Sequence, residues 1–259
     1  MEDRDIQSLY ARLDDLKGRA VRGEMGISAF LSPRELHYAK AFLDRQGCAT
    51  FFFGGYNAYE RGRVYILPDY MADVGAATEL EAFGYSSRIS ALLASGSGFE
   101  KLSHRDFMGS LLGLGIERSV IGDIVVTGDH SAIVFCDNSI VDFLLLHWEK
   151  AGKDKIKRKL ISIGEDFAPK REYAQISDTV ASFRLDCVVA ALCNLSREKS
   201  RQVVIDGAVE LDYEVEERPD RELLGSCIIS IKGHGKFRVL SLCEKTKKGR
   251  YRLQAEKFL

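Results

Sequence analysis

No stretch of this chain is apolar for long enough to cross a bilayer. The apolar stretch 141–148 is broken by Asp142 and His147 and falls well short of the roughly 20 residues a spanning helix needs. The first five residues, Met1-Glu2-Asp3-Arg4-Asp5, lack the apolar heart of a secretion signal. Cysteines are few and unpaired in spacing: Cys48, Cys136, Cys187, Cys193, Cys227 and Cys243 form no zinc-type pattern. They read as buried thiols in a reducing compartment. The five histidines are scattered without metal-ligand spacing. These absences set the expectation of a cytoplasmic protein without membrane segment, metal or small-molecule cofactor.

Phosphate-binding and catalytic signatures are also missing. Gly96, Gly98 and Lys101 lack the Gly-Lys-Ser/Thr ending of a phosphate loop. Gly113, Gly115 and Gly122 lack the spacing of a dinucleotide fingerprint, and read as turn glycines with positive φ. His104-Arg105-Asp106 has the letters of a kinase catalytic loop, but the metal-holding Asn five residues on is Leu111. No Ser/His/Asp or Cys/His set can be nominated, so no catalytic residue is expected.

A large net charge is absent too; the formal value is -1. That sum hides an asymmetry. Residues 182–259 carry 15 Lys/Arg against 12 Asp/Glu, and from Lys232 onward nine basic residues face only Glu244 and Glu256. Clustered cations are the footprint of a polyanion partner, which total charge does not reveal.

What is present describes an ordinary globular chain of 259 residues, 46% hydrophobic and 29% charged, long enough for two or three units with cores. Ile6, Leu9, Leu13 and Leu16 form one stripe of a charged helix over 1–24. Ser32 caps a helix with Pro33 at its first position, running to 46 and ending at Gly47. Short strands follow over 49–53 and 64–67. From 82 to 165 the pattern is a strand around 89–93, a helix over 104–114, a hairpin of 121–126 and 132–136, a helix over 140–150 and a strand over 156–163. The order β-α-β-β-α-β predicts a ferredoxin-like, RNA-recognition-like sheet. The stretch 166–181 reads as a polar connector.

The final segment, 182–259, opens with Leu185, Val188, Val189 and Leu192 on one helical face. Ser196 caps a second helix ending at Gly207, with Arg197 and Arg201 four apart on one side. Val209, Leu211, Tyr213 and Val215 alternate with acids as on one half-exposed strand. Lys232-Gly233-His234-Gly235-Lys236-Phe237-Arg238 reads as a basic glycine-bearing turn. The fold class expected is α+β: an N-terminal α/β region over 1–81, the ferredoxin-like domain over 82–165, the connector 166–181, and a small helix-helix-sheet module over 182–259.

Phe183-Arg184-Leu185-Asp186, Leu195-Ser196-Arg197 with Arg201, Ile205-Asp206-Gly207-Ala208-Val209, and Pro219 before Gly225 resemble the S-four (ribosomal protein type) RNA-binding domain. The resemblance implies that Arg184, Ser196, Arg197, Lys199 and Arg201 face RNA. The basic turn adds Lys232, Lys236 and Arg238. The usual Asn-Gly or basic turn after the first strand is replaced by Asp212-Tyr213-Glu214, so the acidic strand 210–216 is expected to turn away from RNA.

Upstream, Phe53-Gly54-Gly55-Tyr56 with Glu60-Arg61, Leu102-Ser103-His104-Arg105-Asp106-Phe107, Leu112-Gly113-Leu114-Gly115-Ile116 with Arg118, and Ile121-Gly122-Asp123-Ile124 resemble the YlmH family, as does Gly233-His234-Gly235-Lys236-Phe237. That resemblance implies a bacterial, non-enzymatic RNA-binding protein encoded near cell-division genes. The implied partners are structured ribosomal RNA or tRNA and the large ribosomal subunit, in quality control of stalled nascent chains. A second RNA contact is expected at His104, Arg105, Lys155, Lys157, Arg158 and Lys159, without an aromatic stacking platform. The competing expectations are an accessory to an RNA-modifying enzyme and a cell-division adaptor.

Overall fold

Ser32 and Glu35 close a reciprocal cap at the start of the second helix: the Ser32 amide donates to Glu35 Oε2 at 2.8 Å, and the Glu35 amide donates to Ser32 Oγ at 3.3 Å. Such local devices position the elements of a computed structural model that describes residues 2–164, 166–169, 173–245 and 249–258. The chain divides into two compact units, 1–170 and 171–259.

The first unit begins with α1 (Glu2–Val21), β1 (Gly26–Ile27), α2 (Pro33–Arg45), β2 (Thr50–Phe53) and β3 (Arg63–Ile66). The strands form an antiparallel sheet of order β1-β3-β2. Leu9 and Leu13 of α1 are buried with Ala39 and Leu43 of α2 and Val64 and Ile66 of β3. The expected stripe on α1 is thus the one that packs. Two 3-10 turns, Asp69–Met71 and Ala77–Phe83, follow where the sequence shows no clear period.

The same unit continues with β4 (Ile89–Gly96), α3 (His104–Gly113), β5 (Ile121–Gly128), β6 (Ser131–Asp137), α4 (Val141–His147), β7 (Lys150–Ala151) and β8 (Asp154–Ile161). They build a five-stranded sheet of order β5-β6-β4-β8-β7 with antiparallel pairing throughout. One face carries Leu92, Ala94, Val134 and Ile156 against Phe107 and Leu111 of α3, Leu144 of α4, and Trp148. Each fully buried large side chain there contributes on the order of 1.5–3 kcal/mol.

One helix boundary needs correction in this unit. The helix expected over 140–150 stops at His147, because Trp148 leaves it with ψ 83 to bury its ring and donate Nε1–H to Ser110 Oγ at 2.8 Å. The regions 1–81 and 82–165 share one compact unit, joined by hydrogen bonds described below.

The second unit holds β9 (Tyr173–Val180), α5 (Leu185–Cys193), α6 (Arg197–Ile205), β10 (Val209–Leu211), β11 (Glu214–Val215), β12 (Cys227–Ile231), β13 (Gly235–Lys245) and β14 (Tyr251–Phe258). They form a six-stranded antiparallel sheet of order β11-β10-β12-β13-β14-β9. Val188, Val189 and Leu192 of α5 and Val204 of α6 cover one face through Ile229, Phe237, Val239, Leu253 and Ala255. β9 lies inside the stretch expected as a connector, paired with β14 from Tyr173 to Val180. Its outward positions, Gln175, Ser177 and Thr179, are too polar to announce a strand; pairing with β14 supplies what local propensity lacks. The acidic stretch 210–216 is not one strand. It is a hairpin of β10 and β11 turned at Asp212 and Tyr213, both at positive φ (49° and 72°).

Candidate nucleic-acid interface

The α5–α6 corner is built by Asn194 and Ser196. Asn194 takes the left-handed conformation that ends α5 (φ 52), and Ser196 Oγ accepts the Lys199 amide at 3.3 Å to start α6. Ser200 and Val204 are buried, so Arg197, Lys199 and Arg201 fall on the solvent side and are exposed. Their side chains form no ion pair among the described residues. Arg197 and Arg201, one turn apart, stand roughly 6 Å from each other. Open guanidinium forks at that spacing suit phosphate oxygens.

Arg184 does something else. Its guanidinium grips Asp186 as a fork, Nε to Oδ1 at 3.1 Å and Nη2 to Oδ2 at 2.9 Å. The Asp186 side chain is 1% exposed. Burial pushes the Asp186 carboxyl up, but the fork and the Cys187 amide outweigh it and hold the group below its ordinary range. Arg184, expected to face RNA, neutralises a buried carboxylate with this fork.

Lys232, Lys236 and Arg238 were expected in one turn beside the helix starts. Only Lys232 lies in the turn; Lys236 and Arg238 are on β13. Between and after them Phe237 and Val239 enter the core under α5 and α6. Strand alternation then sends Lys236 and Arg238 to the opposite face. Arg238 meets Glu256 at 3.5 Å there. The structure does not gather these two cations with Arg197 and Arg201. The acids of the neighbouring loop are partly neutralised within the unit, since Glu216 pairs with Arg218 at 3.0 Å and Arg221 at 3.8 Å.

In the first unit, Lys155, Lys157 and Lys159 alternate along β8 with Ile156 and Arg158 and are all exposed. Ile156 is buried on the helix-covered face, so the three lysines share the other face, about 6.6–6.8 Å apart along the strand. They lie beside Ser95 and Leu93 of β4. Arg158 points back instead, donating to the Leu145 carbonyl at 2.8 Å and the Ile156 carbonyl at 3.0 Å. It closes the end of α4. His104 and Arg105 sit in the first turn of α3, on the helix side of the sheet, where Ser103 and Asp106 cap one another. Burial and Arg118 push His104 toward its neutral form. The expected second site thus resolves into a lysine row on one side and a capped helix start on the other.

Farther along the lysine face, the sheet is filled. Tyr56 stacks on Phe135 at 4.7 Å, and Phe167 meets Tyr56 edge-on at 5.4 Å. The residues that hold Tyr56 there are motif residues whose role the sequence did not disclose. Asp123 accepts the Tyr56 hydroxyl and the Glu60 amide, both at 2.7 Å, and the Arg61 amide at 2.9 Å. Arg61 donates to the carbonyls of Ile121, Phe30 and Arg118 at 3.0–3.2 Å. Gly55 (φ 101) admits Phe135, 2.4 Å from where a Cβ would stand. Gly122, expected at positive φ, is instead needed for space: Phe30 lies 2.6 Å from its would-be Cβ. The signal available was the joint occurrence of Gly-Gly-Tyr and Gly-Asp.

Burial pushes the thiols of Cys136 and Cys227 up to about 12 and that of Cys193 to about 11, which keeps them protonated. Cys243 lies outside the residues whose side chains are described. Among the described residues, no group of three or more His, Cys, Asp or Glu is arranged to hold a metal, and no helix is long and apolar enough to cross a membrane.

Residues 91–165, which carry the lysine row, match a family described as a putative RNA-binding domain in YlmH. The chain is 29% identical over 235 residues to the Ribosome-associated protein quality control protein P2 of Bacillus subtilis, covering 90% of this chain and 87% of that one. It is also similar in fold to the Cell division protein ylmH from Streptococcus pneumoniae, with TM-score 0.52 and 21% identity, over 65% of this chain and 96% of that one. These similarities set residues 91–165 beside a putative RNA-binding domain of the YlmH type, and most of the chain beside the B. subtilis protein.

Proposed function

We propose that this protein binds structured RNA on the ribosome, as a non-enzymatic component of translation or of the quality control of stalled nascent chains. The observation that carries the reading is the row of Lys155, Lys157 and Lys159, exposed on one sheet face within the segment that matches an RNA-binding family. Three ammonium groups on a rigid strand can track a phosphate backbone through counterion release. With the stacked Tyr56 and Phe135 filling the rest of the face, phosphate contact is favoured there over base stacking.

The finer reading takes the central sheet as ferredoxin-like, on its strand order, and the second unit as an S-four-type module. In that module Arg197, Lys199 and Arg201 contribute an independent phosphate-binding surface. Ribosomal RNA or tRNA on the large subunit is the ligand proposed, in the cytoplasm. The B. subtilis relative's name, with its association and quality-control role, supports that setting.

Co-sedimentation with isolated large ribosomal subunits tests it. The unaltered chain is expected in the ribosomal pellet. Charge reversal at Lys155, Lys157 and Lys159, or at Arg197 and Arg201, is expected to move it to the supernatant. Unchanged sedimentation of either variant removes that surface from the reading.

A further inference from the structure

The face of the second sheet turned away from α5 and α6 carries an array that phosphate-holding cations alone do not explain. Three half-exposed aromatic rings, Tyr213, Phe258 and Tyr173, stand there with Lys236 and Arg238 between them. Lys236 Nζ lies 5.1 Å from the ring centroids of both Tyr213 and Phe258. Arg238 Cζ lies 5.3 Å from the Phe258 centroid and 5.5 Å from that of Tyr173. The last two rings meet edge to face at 5.2 Å.

Tyr213 is held in place against its own backbone preference. Together with Asp212 it forms the two-residue hairpin turn, at φ 72, a conformation that glycine adopts freely and a bulky side chain resists. Asn-Gly would make this turn with less strain. What tyrosine supplies and glycine does not is a ring beside Lys236.

We propose that this face is a stacking site for unpaired bases of single-stranded RNA, with the three rings as platforms and Lys236 and Arg238 holding the intervening phosphates. Every base has a π-face, so rings interleaved with cations bind a single strand with little sequence preference. The acids on the same face favour that ligand over a duplex. Glu210 is linked through Ser230 to Lys236 in the strand pairing, and Glu256 lies opposite Arg238. With those carboxylates weakening phosphate contact, a duplex has little else to offer this face, whereas a splayed single strand adds base faces for the rings. The site is separate from the α6 cations, which lie with the helices over the other face, and it rests on the RNA reading above.

The test compares binding of a labelled oligouridine 10-mer and a labelled RNA duplex to the full chain by fluorescence anisotropy. Tyr213→Gly is expected to weaken 10-mer binding about tenfold, the worth of one stacked base. It should leave duplex binding unchanged and the melting temperature equal or higher, because the turn relaxes. Tyr173→Leu, which retains an apolar side chain on β9, should weaken the 10-mer similarly. Unchanged 10-mer affinity in both variants overturns the stacking site. So does an unaltered chain that binds duplex but not the 10-mer, and that result leaves the RNA reading standing. An unaltered chain that binds neither probe overturns both.

Discussion

The Tyr56 hydroxyl donates to Asp123 Oδ2 at 2.7 Å across 67 positions of sequence, and that bond fastens the Gly54-Gly55 turn to the edge strand of the central sheet. The same carboxylate takes the amides of Glu60 and Arg61, so one buried side chain satisfies three donors from a loop that has no ladder of its own. The Gly-Gly-Tyr and Gly-Asp motifs are thus two halves of one joint within the first unit.

Removing that carboxylate strands its donors. Asp123→Ala is expected to destabilise the first unit by about 3 kcal/mol, since each buried donor left unpaired costs on the order of 1–3 kcal/mol and the costs are not additive. Tyr56→Phe should cost less, about 1 kcal/mol, because the ring stays stacked on Phe135. Urea unfolding checks both. In the double variant the effect of Tyr56→Phe should vanish, and full additivity would mean the pair is not coupled.

Arg184 and Asp186 give a pH-dependent case. Asp186 is held below its usual range in the folded chain, so it contributes stability above the unfolded carboxyl value, near about pH 4, and that stability is lost as pH falls through the lower folded value. Arg184→Ala leaves a buried carboxylate without its fork and should lower stability at neutral pH. Without Arg184, burial raises the carboxyl, so acidification from neutral pH relieves the variant before the unaltered chain begins to lose stability. The gap between them should therefore narrow from neutral pH toward about pH 4 in chemical unfolding; a constant gap would assign the cost to lost packing.

Arg158 and its lysine neighbours separate structure from binding on a single strand. Arg158→Ala removes two charged hydrogen bonds to the carbonyls of Leu145 and Ile156 and should lower stability by about 2 kcal/mol, with little effect on RNA affinity per folded molecule. Lys159→Ala, one residue on and exposed, should do the reverse. Thermal unfolding together with RNA titration of the two variants reads the difference directly.

Much of this fold was legible because its signals are local. Ser32 with Pro33 and Glu35, Ser196 before Arg197, and the glycine-broken alternation of 121–136 each encode an element within a few residues. Two features were illegible for the opposite reason. β9 is a strand only because β14 pairs with it, and the β10–β11 turn hides inside an unbroken alternation because a two-residue turn preserves it. The site was legible as composition but not as geometry. Nothing local tells that Phe237 enters the core and so sends Lys236 and Arg238 to the face opposite Arg197, or that Arg158 points away from Lys157.

The salt dependence of binding distinguishes a phosphate-tracking lysine row from a merely solvated one. Each phosphate neutralised in a duplex adds about 0.9 to the magnitude of the slope of log affinity against log salt. Lys155, Lys157 and Lys159 are exposed, and no ion pair joins them among the described residues, so none has an internal partner to lose. Replacing all three by alanine should therefore reduce the slope for duplex RNA by about 2–3 and leave the unfolding temperature nearly unchanged. A row that only solvates its sheet face would give the same affinity at every salt concentration after the substitutions. A slope change confined to Arg197→Ala with Arg201→Ala would place duplex contact on α6 alone.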